Sequence, residues 1–91
     1  MPAYGREVIE YRPDRPMWVQ VADVLRKRIA SGTYKRGYPV PAESAMQQEF
    51  EIARGTARKI IAKLRDEGLI YTVPGLGSFV GPPPDEDEAE S

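Results

Sequence analysis

The chain has 91 residues, with 13 Lys and Arg against 14 Asp and Glu, and neither histidine nor cysteine. A single small domain of this length leaves no room for a sizeable substrate pocket, and the missing residue types exclude disulfides, thiolate metal sites and histidine-dependent catalysis. The formal net charge of −1 hides a split, because Asp85, Glu86, Asp87, Glu88 and Glu90 lie in the last seven residues and leave residues 1–84 with 13 basic against 9 acidic side chains, a balance of +4.

Apolar runs are only a few residues long, far short of a membrane span, and the N-terminus lacks a hydrophobic stretch of signal-peptide type. A soluble, cytoplasmic protein without membrane contact is expected. Residues 1–14 read as a flexible N-terminal arm. They hold a β-prone piece, Glu7 to Tyr11, and lead into Arg12-Pro13-Asp14-Arg15-Pro16, where two prolines interrupt any helix. Residues 15–81 form the folded body. A helix starts at about Pro16, a residue suited to a first turn, with Trp18, Val21, Ala22, Leu25 and Ile29 at i, i+3, i+4, i+7 and i+11, and Gly32 stops it. Arg26, Lys27 and Arg28 near its end suit the negative pole of the helix dipole and read as a solvated helix end, with direct phosphate contact as the alternative.

Thr33 to Pro41 is a turn-rich connector in which Val40 is expected to form a very short strand. A second helix begins around Ala42, with Met46 and Phe50 on its buried side, and Glu51-Ile52-Ala53 has the length of a tight turn. The third helix, from Arg54 to about Glu67, is the most informative segment. Its twelve residues from Arg54 to Arg65 carry five positive charges and no negative one, while Ala57, Ile60, Ile61 and Leu64 line one face. A helix with one apolar side and a basic remainder suits a position between a protein core and a polyanion. Leu69 to Val73 then reads as a strand, Pro74 to Gly77 as a turn and Ser78 to Val80 as a returning strand. The fold class expected is therefore mainly α with a small β-hairpin wing, a winged helix-turn-helix. Trp18, Phe50 and Phe79 fall at apolar-periodic positions and read as core.

In the stretch from Pro16 to Val80 several landmarks arrive in order: Pro16 and Gln20, Ile29-Ala30-Ser31-Gly32, Gly37 and Pro41, Arg54, Thr56 and Lys59, Glu67-Gly68-Leu69, and Gly75-x-Gly77-Ser78-Phe79-Val80. This pattern resembles the DNA-binding domain of the GntR family of bacterial transcription regulators. The resemblance implies a winged helix-turn-helix that binds operator DNA, usually as a dimer on a palindromic site. A transcriptional regulator of repressor type is expected; an enzyme is disfavoured by the small size, the lack of His and Cys and carboxylates without a paired arrangement, and no cofactor is expected. Relatives usually carry a larger effector-binding domain after the wing; here about ten residues follow it, so the chain is expected either to work without an effector domain or to be a fragment of something longer, and no effector site is expected within it.

By the same resemblance, Arg54, Gly55, Thr56 and Arg58 align with the arginine, small polar pair and second arginine that open the recognition helix. Arginine can donate a bidentate pair of hydrogen bonds to guanine, threonine reaches a base or a phosphate, and Gly55 would let the helix start approach the groove. Lys59 and Lys63 read equally as phosphate contacts or as solvated surface. Two departures stand out. Relatives commonly place a helix-capping serine and a DNA-contacting arginine where this chain has Ala42 and Ser44, so the second helix is expected to start less firmly and Ser44 to offer at most one hydrogen bond to a phosphate. The wing has Val73, Pro74 and Leu76 where relatives often carry a cation, leaving Gly77 as a backbone contact, with a plain tight turn as the alternative for both Gly75 and Gly77.

A winged-helix docking module for another protein is the competing function, since fold alone does not decide function. Residues 82–91, three prolines and an acidic run, are expected to form a disordered tail. It reads as a solvated end or, alternatively, as a competitor of phosphate for the basic helix. With Val8, Ile9 and Tyr11 the only spare apolar strand, a monomer or weak homodimer in free solution that pairs on DNA through this arm is expected. Deleting residues 82–91 and measuring affinity for random duplex DNA at low salt separates the two readings of the tail: tighter binding supports competition, and unchanged binding a passive end.

Overall fold

The apolar spacing that the sequence carries becomes three helices around one core. In the computed structural model, which describes residues 10–83, they are α1 (Met17–Ala30), α2 (Glu43–Phe50) and α3 (Arg54–Asp66), followed by β1 (Ile70–Val73) and β2 (Gly77–Val80). Val8, Ile9 and the acidic run lie outside the described residues. Val21, Ala22 and Leu25 of α1 face Ala57, Ile60 and Leu64 of α3, and Met46 and Phe50 of α2 close the third side; all are buried. Ile61 is only half-buried.

Residues in left-handed backbone conformation end each helix. Gly32 (φ 83°) follows α1 and Gly68 (φ 79°) follows α3, where the Leu69 N–H donates to the Leu64 carbonyl at 3.1 Å. After α2 the same conformation falls on Glu51 (φ 55°), a non-glycine residue for which it is costly. That bend turns the chain within three residues from α2 into α3. Neither helix of the pair has a side-chain cap: Ala42 and Ala53 stand at the two N-cap positions. The weak start expected for α2 therefore extends to α3.

β1 and β2 pair antiparallel with Ile70 opposite Val80, Tyr71 opposite Phe79, Thr72 opposite Ser78 and Val73 opposite Gly77. Side chains alternate across a sheet, so this register puts Ile70, Thr72, Ser78 and Val80 on one face. Ile70 and Val80 enter the core, while Tyr71 and Phe79 stack on the other face with ring centroids 5.9 Å apart. The connector runs along the free edge of β2. The Val40 N–H donates to the Ser78 carbonyl at 3.0 Å, and the Val80 N–H to the Tyr38 carbonyl at 2.9 Å. The short strand expected at Val40 is instead an isolated bridge between Pro39 and Phe79. Proline, with no N–H to give, is tolerated on such an outer edge.

Three other expectations are corrected. Arg28 is not a solvated helix-end cation: its side chain is 5% exposed, ion-paired with Glu49, hydrogen-bonded to the Tyr34 hydroxyl at 2.6 Å and lying over the Phe50 ring. Its neighbour Arg26 bridges Asp23 and Glu67 at 2.6 Å each, tying α1 to the end of α3 and holding the Glu67 carboxyl below its usual range by hydrogen bonding. Tyr11 is not spare apolar surface, because it packs against the core, and burial together with nearby Glu51 and Glu49 raises its phenol pKa. Trp18 and Phe79 are half-buried rather than wholly core. The chain before α1 is held by Gln20, whose amide donates to the Arg12 and Arg15 carbonyls at 2.9 Å and accepts from the Arg12 N–H at 2.8 Å.

Removing one member of a buried ion pair strands its partner's charge. Arg28→Ala is expected to lower unfolding free energy by about 3 kcal/mol, with much of the loss recovered when Arg28→Met is combined with Glu49→Leu. Denaturant midpoints at unchanged slope test this. A loss under about 1 kcal/mol, the scale of an exposed pair, would show that Glu49 finds solvent without Arg28.

Candidate nucleic-acid interface

Burial of Ala57, Ile60 and Leu64 determines what α3 shows to solvent. At 3.6 residues per turn, Arg54, Arg58 and Arg65 fall on one flank at i, i+4 and i+11, Thr56, Lys59 and Lys63 on the opposite flank, and Gly55 between them. The side chains of Arg54 and Arg58 are 67% and 60% exposed. Both point back to the first turn of α2, where the Glu43 carboxylate accepts from the Arg54 Nε at 3.3 Å and the Arg58 Nε at 3.4 Å. One carboxylate shared at these distances is a weak, exchangeable tether, which orients the two guanidinium groups without using up their donors. The sequence did not single out Glu43. Its only signal was an acidic residue opening α2, ordinary at a helix start.

On the other flank Lys59 is held: its Nζ lies 4.4 Å from the centre of the Trp18 ring. The contact joins the start of α1 to the middle of α3 and gives the half-buried indole a cation rather than a purely apolar neighbour. Thr56 is half-buried and Gly55 exposed. A Cβ on Gly55 would meet nothing within 4 Å, so no packing inside the chain requires glycine there.

Ser44 and Gly77 lie across an open cleft of about 750 Å³ that separates the start of α2 and the flank of α3 from the hairpin. Gly77 adopts φ 118° and Gly75 φ 80°, conformations that side-chain-bearing residues rarely enter, so the hairpin turn accounts for both. Leu76 between them is 73% exposed. The structure thus gathers Arg54, Ser44 and Gly77 around one concave surface, holds Arg58 beside it through Glu43, and sets Lys59 and Thr56 on the far side of the helix. Among the described residues no cluster of His, Cys, Asp or Glu could hold a metal ion, and no helix is long and apolar enough to cross a membrane.

A basic second helix presented by a tight turn, with a hairpin beside it, defines a winged helix-turn-helix domain of the DNA-binding regulator class. Residues 18–80 match the family model described as bacterial regulatory proteins, gntR family. The chain belongs to the GntR family. It is 36% identical over 66 residues to the mannosyl-D-glycerate transport/metabolism system repressor MngR of Escherichia coli (strain K12), covering 72% of this chain and 28% of MngR. To the transcriptional repressor NagR of Bacillus subtilis (strain 168) it is 34% identical over 68 residues, 75% of this chain and 28% of NagR. The chain therefore spans under a third of the length of these relatives. Among solved structures, the AraR DNA-binding domain in complex with operator ORX1 superposes with a TM-score of 0.75 at 33% identity, covering 82% of this chain and 95% of that one. The same domain with operator ORR3 gives 0.72 at 30% identity, covering 84% and 92%.

The two site glycines are expected to respond oppositely to substitution. Gly55→Ala, in helical backbone with open space, should raise stability by up to about 1 kcal/mol. Gly77→Ala forces alanine into strained backbone and should lower it by about 1 kcal/mol or more. Thermal melts of the two variants check this; equal shifts would contradict the turn-based account of Gly77.

Proposed function

We propose that this chain is the operator-binding part of a bacterial transcriptional repressor, acting in the cytoplasm, with α3 lying in the major groove and the hairpin against the flanking backbone. The observation that carries the reading is the exposed pair Arg54 and Arg58 on the first turns of α3, tethered among the described residues by Glu43 alone. Recognition helices read base edges with their N-terminal residues, and a guanidinium fork matches O6 and N7 of guanine. Thr56 and Lys59, on the opposite flank, serve the phosphates or base edges of the other groove wall, and Gly55 lets the helix start come close to the bases. Ser44 adds a hydroxyl at the α2 end. The hairpin tip approaches the duplex through the backbone at Gly77, since residues 70–80 contain no Lys or Arg.

Glu43 has a second consequence. Its carboxylate opposes phosphate and competes with it for Arg54 and Arg58, so contacts to guanine, which exchange one acceptor for two, outweigh contacts to bare backbone. One such module offers a small interface. Pairing of two copies on half-sites about one helical turn apart supplies the rest of the affinity. Tyr11 is engaged with the core, and Val8 and Ile9, the other arm residues expected to join two copies on DNA, lie outside the described residues.

Selection of bound sites from random duplex DNA should return a consensus with guanines arranged as an inverted repeat. Arg54→Ala and Arg58→Ala are each expected to weaken binding to that consensus by about 1–3 kcal/mol and to relax preference at one base pair per half-site. Gly55→Ala should weaken binding while leaving the fold intact. Binding in both arginine variants equal to that of the unaltered chain would remove the base-reading roles. A selection that yields no consensus would remove the sequence-specific reading altogether.

A further inference from the structure

We propose that Arg65, together with the hydroxyls of Thr72 and Ser78, seats one phosphate of the DNA backbone in the cleft between α3 and the hairpin, in the place of a cation on the wing. The proposal rests on the DNA-binding reading above and adds a positioning contact to it.

Arg65 continues the flank of Arg54 and Arg58, but eleven residues of helix rise carry it about 16 Å from Arg54 along the axis. The major groove is about 12 Å wide. With the first turns of α3 on base edges, a side chain at this distance has passed the groove wall and stands over backbone. What surrounds it fits a phosphate. The Arg65 Nη1 lies 3.5 Å from the Thr72 Oγ1, and that oxygen lies 3.0 Å from the Ser78 Oγ. The strand register explains the hydroxyl pair: Thr72 and Ser78 are opposite each other on the face that also carries Ile70 and Val80, one step further toward the turn. The face is apolar where it meets the core and becomes hydroxyl where it leaves the core and looks across the cleft.

The charge is also available. Arg12, Arg15, Arg26 and Arg28 each have a carboxylate partner within 2.9 Å, whereas no ion pair engages Arg65 among the described residues. The two hydroxyls share one hydrogen bond between them, which leaves one O–H and the guanidinium N–H groups to donate outward. A wall that offers donors and positive charge suits a ligand that is anionic and accepts only, and a phosphodiester oxygen is both. Arg65 also stands in the last turn of α3, where a cation complements the helix dipole; the test must separate that structural role from phosphate contact.

The full chain and its Arg65→Gln, Arg65→Lys and Thr72→Val variants are titrated with a random-sequence duplex and with a selected consensus duplex over a range of salt. Loss of one phosphate contact should lower the slope of log affinity against log salt by about 0.9. We expect that change in Arg65→Gln, with the same fold-loss of affinity on both duplexes, and recovery of the slope in Arg65→Lys, beside whatever small fall in melting temperature the lost helix-end cation brings. Thr72→Val should weaken both duplexes several-fold at unchanged slope. A wild-type slope in Arg65→Gln overturns the proposal, whether or not its melting temperature falls, and so does a loss confined to one base pair of the consensus. Absence of duplex binding by the unaltered chain removes the parent reading as well, so the two failures are distinct.

Discussion

Everything the molecule presents to a partner depends on the apolar stripe of α3 against α1 and α2. Ala57, Ile60 and Leu64 are at most 1% exposed, and a helix locked on that side has its remaining positions assigned by geometry. Ala57, with its single methyl group, keeps the start of α3 close to the core, beside the bend at Glu51. The positive charges of the segment then have nowhere to go but outward, because each would lose its hydration inside. Core packing and the basic surface are two results of one periodicity.

The arginines divide by this geometry. Among the described residues, the arginines before and within α1 are ion-paired: Arg12 with Asp14, Arg15 with Asp23, Arg26 with Asp23 and Glu67, and Arg28 with Glu49. Those on α3 are left to a single carboxylate, Glu43, or to hydroxyls. The cations before and within α1 are satisfied at close range, from the exposed Arg12–Asp14 pair to the buried Arg28–Glu49 pair, while the cations of the interface keep donors in reserve. A net charge near zero is compatible with a basic face because neutralisation is spatially segregated.

The architecture was largely legible before any coordinates. Helix stripes such as Val21, Ala22 and Leu25, the stops at Gly32 and Gly68, and the alternation around Gly75 and Gly77 are local patterns, and local patterns report local conformation. Side-chain partners were not. Arg28 read as a solvated end because its run of three cations suits a helix C-terminus, yet its position on the helix turns it inward to Glu49, 21 residues away. Trp18 read as core, but it is half-buried and Lys59 of α3 lies over its ring. Glu43 and the Thr72–Ser78 pair had no motif to mark them; they become visible only when α2 is laid beside α3 and the strands are put in register.

What the sequence determined by itself was the order of elements and the amphipathic third helix, each written in spacing a few residues long, and the resemblance to DNA-binding regulators, carried by landmarks in order from Pro16 to Val80. Only the tertiary structure decided which charges are engaged and which are left open. That outcome depends on distances between residues up to 41 positions apart, such as Arg26 and Glu67. The physical reason is range: backbone conformation and periodic burial are governed by near neighbours, whereas an ion pair needs its partner within a few ångströms whatever the separation along the chain.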